Sequence, residues 1–312
     1  MSVEALFTDA SYVAKDDLRG YARSDFDAID YRMWTAPLLP FHLRGPGPSE
    51  SLKAREYIVC IGAAQTFGRF NAWPFPALLE QHTGIKVLNL GFDGAGPGYF
   101  LNPTILSILQ NARLVIAQVM SGRSLSNSEF VSPDNGGSLM RRKDGPNAKR
   151  GFALDVWREW LQEVQAQTEG KPNDLRRRVD AVIAETRLLW TGYYAQLRHK
   201  IGGHCILFYF SKRPMAYAVK YSHAELLLGE FPQMIDEDCV QSVSPLFDDL
   251  VMCVSDRGSP QPLFNRFSGE PFIVNPSFRF PDHNAYYPRP EMHQDAVEAL
   301  GPAVMRILSG HS

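Results

Sequence analysis

Asp282, His283 and His293 stand within a dozen residues of one another near the end of the chain. A histidine oriented by a carboxylate is a general base poised near neutral pH. His293, in the first turn of an expected last helix, is the expected base, with Asp282 as the nearby carboxylate; a capping or packing histidine is the plainer alternative. Thr66 and Ser121 carry hydroxyls at expected strand ends and are unconventional nucleophile candidates, although such hydroxyls commonly cap helices or complete turns. Gly62-Ala63-Ala64-Gln65-Thr66-Phe67-Gly68 joins small residues that permit close backbone approach to two polar side chains, Gln65 and Thr66. Asn89-Leu90-Gly91-Phe92-Asp93-Gly94-Ala95-Gly96-Pro97-Gly98 has the composition of a loop that aims backbone N–H groups at an anion or oxyanion, through Asn89, Gly91 and Gly94. Asn127 and Arg123 complete the ligand-binding candidates. Arg123, with the basic run Arg141-Arg142-Lys143-Asp144-Gly145-Pro146-Asn147-Ala148-Lys149-Arg150, is expected to attract an anionic donor or glycan, unless the run is simply a solvated loop.

The composition narrows the classes. Among 312 residues, 32 Lys and Arg face 34 Asp and Glu, so no global charge argues for nucleic acid or for an anionic membrane. No run approaches the ~18 apolar residues of a membrane span, and the first residues lack the basic start and apolar run of a signal peptide, so a cytoplasmic protein is expected. Cys60, Cys205, Cys239 and Cys253 are scattered and without chelating spacing, as are the histidines, so no metal or other cofactor is expected. Oligomeric state is left open; the expected partner is a small molecule or glycan.

These residues need a scaffold to converge. The first 55 residues carry few periodic elements and include Arg44-Gly45-Pro46-Gly47-Pro48, which continues neither a helix nor a central strand; an N-terminal arm over 1–55 is expected, followed by one domain over 56–312. Buried strands are expected at 57–62, 85–90, 113–119 and 204–210, with a fifth at 273–277. Helices are expected at 74–84, 103–112, in two amphipathic stretches between 152 and 197, at 222–229 and 235–249, and at about 290–309. A functional or mobile loop is expected between 120 and 150, with a turn at Pro133-Asp134-Asn135-Gly136-Gly137. The β-α-β-α-β order with short connections predicts an α/β fold, a three-layer, flavodoxin-like parallel sheet with helices on both faces. In such sheets ligands lie outside the carboxyl ends of the strands, where the candidate loops fall.

The order of these blocks resembles the SGNH, or GDSL-type, hydrolase superfamily: a first-strand elbow, a glycine, an asparagine, and a C-terminal Asp-x-x-His before a last helix. More closely, the chain is similar to an uncharacterised bacterial family with such a core, through Gly62-Ala63-Ala64-Gln65-Thr66-Phe67-Gly68-Arg69-Phe70, Asn89-Leu90-Gly91 with Ala95-Gly96-Pro97, and Tyr286-Tyr287-Pro288-Arg289-Pro290-Glu291-Met292-His293. The resemblance implies an SGNH-like core, but it places Ala64 where the serine nucleophile stands, Asn284 at the aspartate and Tyr287 at the histidine. A methyl group cannot attack a carbonyl. Two readings follow. One is an enzyme of ester-type group chemistry, acyl or sulfo transfer or hydrolysis, on a carbohydrate-like substrate without a serine nucleophile. The other is a catalytically silent binding protein for an anionic small molecule or glycan.

Overall fold

The computed structural model describes residues 3–48, 52–133, 136–144, 150–216, 218–276 and 279–310. Five parallel strands, β1 (Tyr57–Gly62), β2 (Lys86–Gly91), β3 (Leu114–Gln118), β4 (Cys205–Ser211) and β5 (Asp249–Val254), form the central sheet. Their spatial order is β5-β4-β3-β1-β2. This is the flavodoxin-like 2-1-3-4-5 order read from the opposite edge, and it puts the topological switch between β1 and β3.

Seven helices matter for the argument: α1 (Ala64–Phe67), α2 (Phe75–Thr83), α3 (Pro103–Gln110), α4 (Ala153–Gln167), α5 (Pro172–Ile201), α6 (Glu237–Val243) and α7 (Pro290–Leu308). The strands are buried on both sides, and their period-2 alternation sorts the layers. Tyr57, Val59 and Ile61 face a core built with Ile105, Ile108, Trp190, Tyr194 and Val240, from α3, α5 and α6. Ile58 and Cys60 face the other core, with Phe75, Leu79, Met292, Ala296 and Leu300 from α2 and α7. The expected three-layer α/β fold is therefore present.

Leu6, Phe7, Trp34 and Leu43 of the N-terminal segment join the first core. Buried Arg44 fastens this segment, donating to the carbonyls of Tyr31, Gly45, Asn71 and Ala72. Among the described residues it has no carboxylate partner, and burial pulls its pKa down to about 9.

Two expectations about elements are corrected. The fifth strand is Asp249–Val254, not 273–277; residues 273–276 join no strand, Ile273 is exposed, and Ser277 lies outside the described residues. The 120–150 stretch is not one loop, because Phe130–Val131, Leu139–Arg142 and Gly151–Phe152 pair as a small antiparallel sheet. It contributes Phe130 and Met140 to a separate cluster with Trp157 and Trp160 of α4. Asp134 and Asn135 of the expected turn lie outside the described residues. No helix among the described residues is long and apolar enough to cross a membrane.

Candidate functional site

The loops after β1, β2 and β3 meet in a cleft of about 300 Å³, open to solvent. Ala63, Ala64 and Gln65 come from the first loop, Asp93, Gly94 and Ala95 from the second, Ser121 and Arg123 from the third. Phe231, Tyr286 and Tyr287 close the far side. The cleft straddles the switch between β1 and β3, where a doubly wound sheet leaves a crevice because its connections diverge to opposite faces.

The glycines serve close packing. A Cβ on Gly62 would stand 2.2 Å from Thr66 Oγ1, and one on Gly91 would stand 2.2 Å from the backbone nitrogen of Phe67. The expected anion-binding array of backbone N–H groups is largely spent inside the fold. Gly91 N–H donates to Asn89 Oδ1 at 2.9 Å, Phe92 N–H to the Gly62 carbonyl at 2.9 Å and Gly96 N–H to the Gly136 carbonyl at 2.6 Å. Asn89 completes this brace by donating to the Thr66 carbonyl at 2.9 Å, so its role is to fix α1 against β2.

The expected catalytic side chains do not converge. Thr66 is buried, and its hydroxyl donates to Gln118 Oε1 at 2.9 Å, an oxygen that also accepts the Ala63 N–H at 3.0 Å. His293 is fully buried between Phe75 and Phe210; its Nδ1 accepts the Phe75 N–H at 3.0 Å and its Nε2 has no partner. Burial, aided by the charge of Arg44, lowers its pKa to about 3. The expectation that His293 faces the cleft is thus corrected: it is on the helix face that packs into the sheet core. Asp282 pairs with the adjacent His283, Oδ1 to Nδ1 at 2.7 Å, and neither residue lines the Ala64 cleft. His283 instead lines a larger, mostly apolar pocket of about 810 Å³ with Phe70, Phe280, Tyr286 and Tyr287. Among the described residues no group of His, Cys, Asp and Glu is placed to hold a metal ion.

Asn127 is also a framework residue. It donates to Thr186 Oγ1 at 2.9 Å and accepts the N–H groups of Glu129 and Phe130, each at 2.9 Å. Ser121 exchanges hydrogen bonds with Gln233, donating to its Oε1 and accepting its backbone N–H, while Gln233 Nε2 donates to the Tyr286 hydroxyl at 2.6 Å. The Ser121 proton is therefore held by an amide, which is no base. Asn284 accepts the N–H groups of Tyr286 and Tyr287 and fixes their turn. In the basic run, Arg142 is paired with Asp144 and Glu163, which removes it as a free cation; residues 145–149 lie outside the described residues.

Arg123 does line the cleft, and so does Asp93, which the glycines around it had hidden in the sequence. The two face the same space without forming an ion pair. Asp93 is exposed at its side-chain surface, and the protein packed around the cleft raises its carboxyl pKa by partial desolvation, against the opposing pull of Arg123 and Arg69. Tyr287 is held in place by Arg69, whose Nη1 donates to its hydroxyl at 3.0 Å.

Residues 21–132 match the model of a family described as a domain of unknown function (DUF6473). No curated protein matches the chain. Among solved structures the chain is similar to a carbohydrate esterase family 2 enzyme with a carbohydrate binding domain from Corynascus thermopiles (Myceliophthora fergusii), at 9% identity, covering 87% of this chain and 69% of that one with a TM-score of 0.41. It is also similar to a family two carbohydrate esterase from Clostridium thermocellum in complex with cellohexaose, at 10% identity, covering 86% and 68% with a TM-score of 0.40. A third is a putative SGNH hydrolase from Slackia heliotrinireducens, at 11% identity, covering 80% and 99% with a TM-score of 0.36. None of these likenesses speaks to the chemistry of the cleft.

Proposed function

We propose that the chain is an SGNH-like protein whose cleft holds a sugar-like polar ligand without forming a covalent bond to it. The observation that supports this reading is a cleft lined by Ala64 together with Asp93 and Arg123, which form no ion pair among the described residues. Ala64 lines the cleft, Thr66 is committed to Gln118, and no histidine lines the same space. Asp93 is an acceptor when ionised and Arg123 a donor only. A ligand with neighbouring hydroxyls satisfies both, since each hydroxyl gives one hydrogen and accepts others. Tyr286 and Tyr287 add ring surface for the apolar face of such a ligand. Calorimetric titration of the full chain with a panel of monosaccharides tests this: Asp93→Asn and Arg123→Met should each weaken binding by about tenfold, or about 1.4 kcal/mol. No binding at millimolar sugar would end the reading.

One observation favours a second reading. The raised pKa of Asp93 suits a general base that takes a proton from water as the water attacks an ester carbonyl of a carbohydrate-like substrate, with the alcohol leaving. Acetate release from an acetylated sugar, present in the native protein and lost in Asp93→Asn, would establish it.

A further inference from the structure

A second pocket, of about 310 Å³ counting the solvent-open space it reaches, adjoins the cleft and shares Gln65, Phe231 and Tyr286 with it. Its own walls are mostly apolar, with Phe210, Pro288 and Met292, and Ser211, Lys212 and Glu230 complete its lining. Gln65 is the residue between the two spaces. It is 4% exposed, and its Oε1 is buried with no hydrogen-bond partner among the described residues. A buried acceptor left unsatisfied is a standing cost to the fold that a ligand donor would relieve. The terminal torsion of a glutamine is broad, so the carboxamide can turn this oxygen toward either space without repacking its stem. Lys212 donates to the Ala285 carbonyl at 2.9 Å and stands 3.9 Å from a Glu230 carboxylate oxygen, a loose pair that leaves it an N–H to give; burial lowers its pKa against the pull of Glu230, so a ligand carbonyl there would meet a poorly hydrated ammonium.

We infer that the ligand is an N-acylated amino sugar, with its ring in the cleft and its acyl group in the adjoining apolar cavity. This rests on the reading that the cleft binds a sugar. A secondary amide brings three features in a fixed relation: an N–H, a carbonyl oxygen and a small apolar group. The cavity presents their complements in Gln65 Oε1, Lys212 Nζ and the Phe210–Phe231–Met292 surface. The adjoining pocket is small, which favours an acetyl group over a long acyl chain. An O-acyl sugar has the carbonyl and the methyl but no N–H, and would leave Gln65 Oε1 unpaired. A parent sugar would leave the apolar cavity to water. Sites that hydrogen-bond a buried ligand group discriminate strongly against analogues that lack it.

The test is calorimetric titration of the full chain with glucose, galactose and mannose and with the 2-acetamido counterpart of each. At least one acetamido sugar should bind tenfold or more tightly than its parent, and Gln65→Leu should bring that ratio to within about twofold. The ratio is the readout because a misfolded variant lowers both affinities together; should Gln65→Leu not fold, Lys212→Met must reduce the same ratio at least threefold. Parents bound as tightly as their acetamido forms would overturn the inference and leave the sugar reading standing. No binding by any of the six would overturn both. A ratio that survives Gln65→Leu, or Lys212→Met where that variant stands in, would overturn the assignment of the acyl cavity.

Discussion

Asp25 in the N-terminal segment accepts two hydrogen bonds from Arg69, at 2.7 and 3.1 Å, and so holds the residue that holds Tyr287. The Tyr31 hydroxyl donates to the same carboxylate at 3.0 Å, and the Arg69 guanidinium lies over the rings of Tyr21, Phe70 and Tyr287. The segment before the sheet therefore reaches the cleft wall through one charged contact. Asp25 is 3% exposed, so its removal leaves a largely buried guanidinium without its anion. Breaking such a pair costs about 3–5 kcal/mol. Asp25→Ala should lower the urea midpoint accordingly and weaken ligand binding through Tyr287. Binding unchanged in a destabilised variant would show that Tyr287 needs no such support.

The buried histidine gives a pH signature. His293 has a pKa of about 3 in the fold against about 6.5 unfolded, so on acidification the unfolded chain takes up the proton first. Its contribution is fully present above about pH 6.5 and is lost as pH falls toward 3, by up to about 1.4 kcal/mol per unit. Urea unfolding of native protein and His293→Gln between pH 5 and 8 should show a flatter acid limb in the variant, which keeps an acceptor for the Phe75 N–H. Parallel curves would mean that His293 takes up its proton at the same pH in the folded and unfolded chain, and so is not shielded as its burial implies.

How much of this was legible in the sequence depends on the kind of pattern. YIVCIG and HCILFYF are continuous apolar runs because both faces of their strands are covered, and such runs are hard to misread. Asp249–Val254 is an edge strand with alternating exposure that follows a short Pro245-containing turn, so it reads as the tail of the preceding helix. The position of the cleft followed from the switch-point rule. The direction of its side chains did not: His293 and Glu291 are both in the first turn of α7, and only the packing of that helix against Phe75 and Phe210 turns His293 inward. Asp93 gains its environment from Arg123, thirty residues away in sequence, and no local pattern carries that.

Thr66 should behave as a framework group. Thr66→Val removes the donor to Gln118 Oε1 but leaves the Ala63 N–H bonded there, so a loss of about 1 kcal/mol is expected. Ligand affinity should stay within about threefold. A serine-directed covalent probe should leave the mass of the native protein unchanged, since the Thr66 and Ser121 hydroxyls are bound by amides and have no base beside them. Stoichiometric labelling at either residue would reveal a nucleophile in the cleft.

Two glycines separate backbone strain from crowding. Gly84 closes α2 at φ 69° with open space around it, whereas Gly94 has φ 64° and a Cβ there would stand 2.5 Å from Ser138 Cα. Gly84→Ala should cost about 1 kcal/mol from the left-handed backbone alone. Gly94→Ala adds displacement of the Ser138 segment and should cost roughly 1–3 kcal/mol more. Equal losses in urea unfolding would mean the two loops move apart freely.

Asp93 lets stability and binding be pulled in opposite directions. Its folded pKa is raised by loss of water, so the ionised form is less favourable in the fold than in the unfolded chain. The sign follows: this penalty is absent below the unfolded pKa near 4 and grows as pH rises through the folded value, where the native state still holds a proton that the unfolded chain has released. Asp93→Asn abolishes the titration and keeps the shape, so at pH 7 the variant should unfold at higher urea than the native protein while binding sugar more weakly. The contrast with Asp25→Ala is diagnostic, because that carboxylate is held by Arg69 and its loss should lower stability. A residue retained for binding at some expense to the fold is expected to behave as Asp93 should, as functional groups often do. An Asp93→Asn protein that is less stable at pH 7 would place Asp93 among the framework ion pairs and remove the main support for a ligand between it and Arg123.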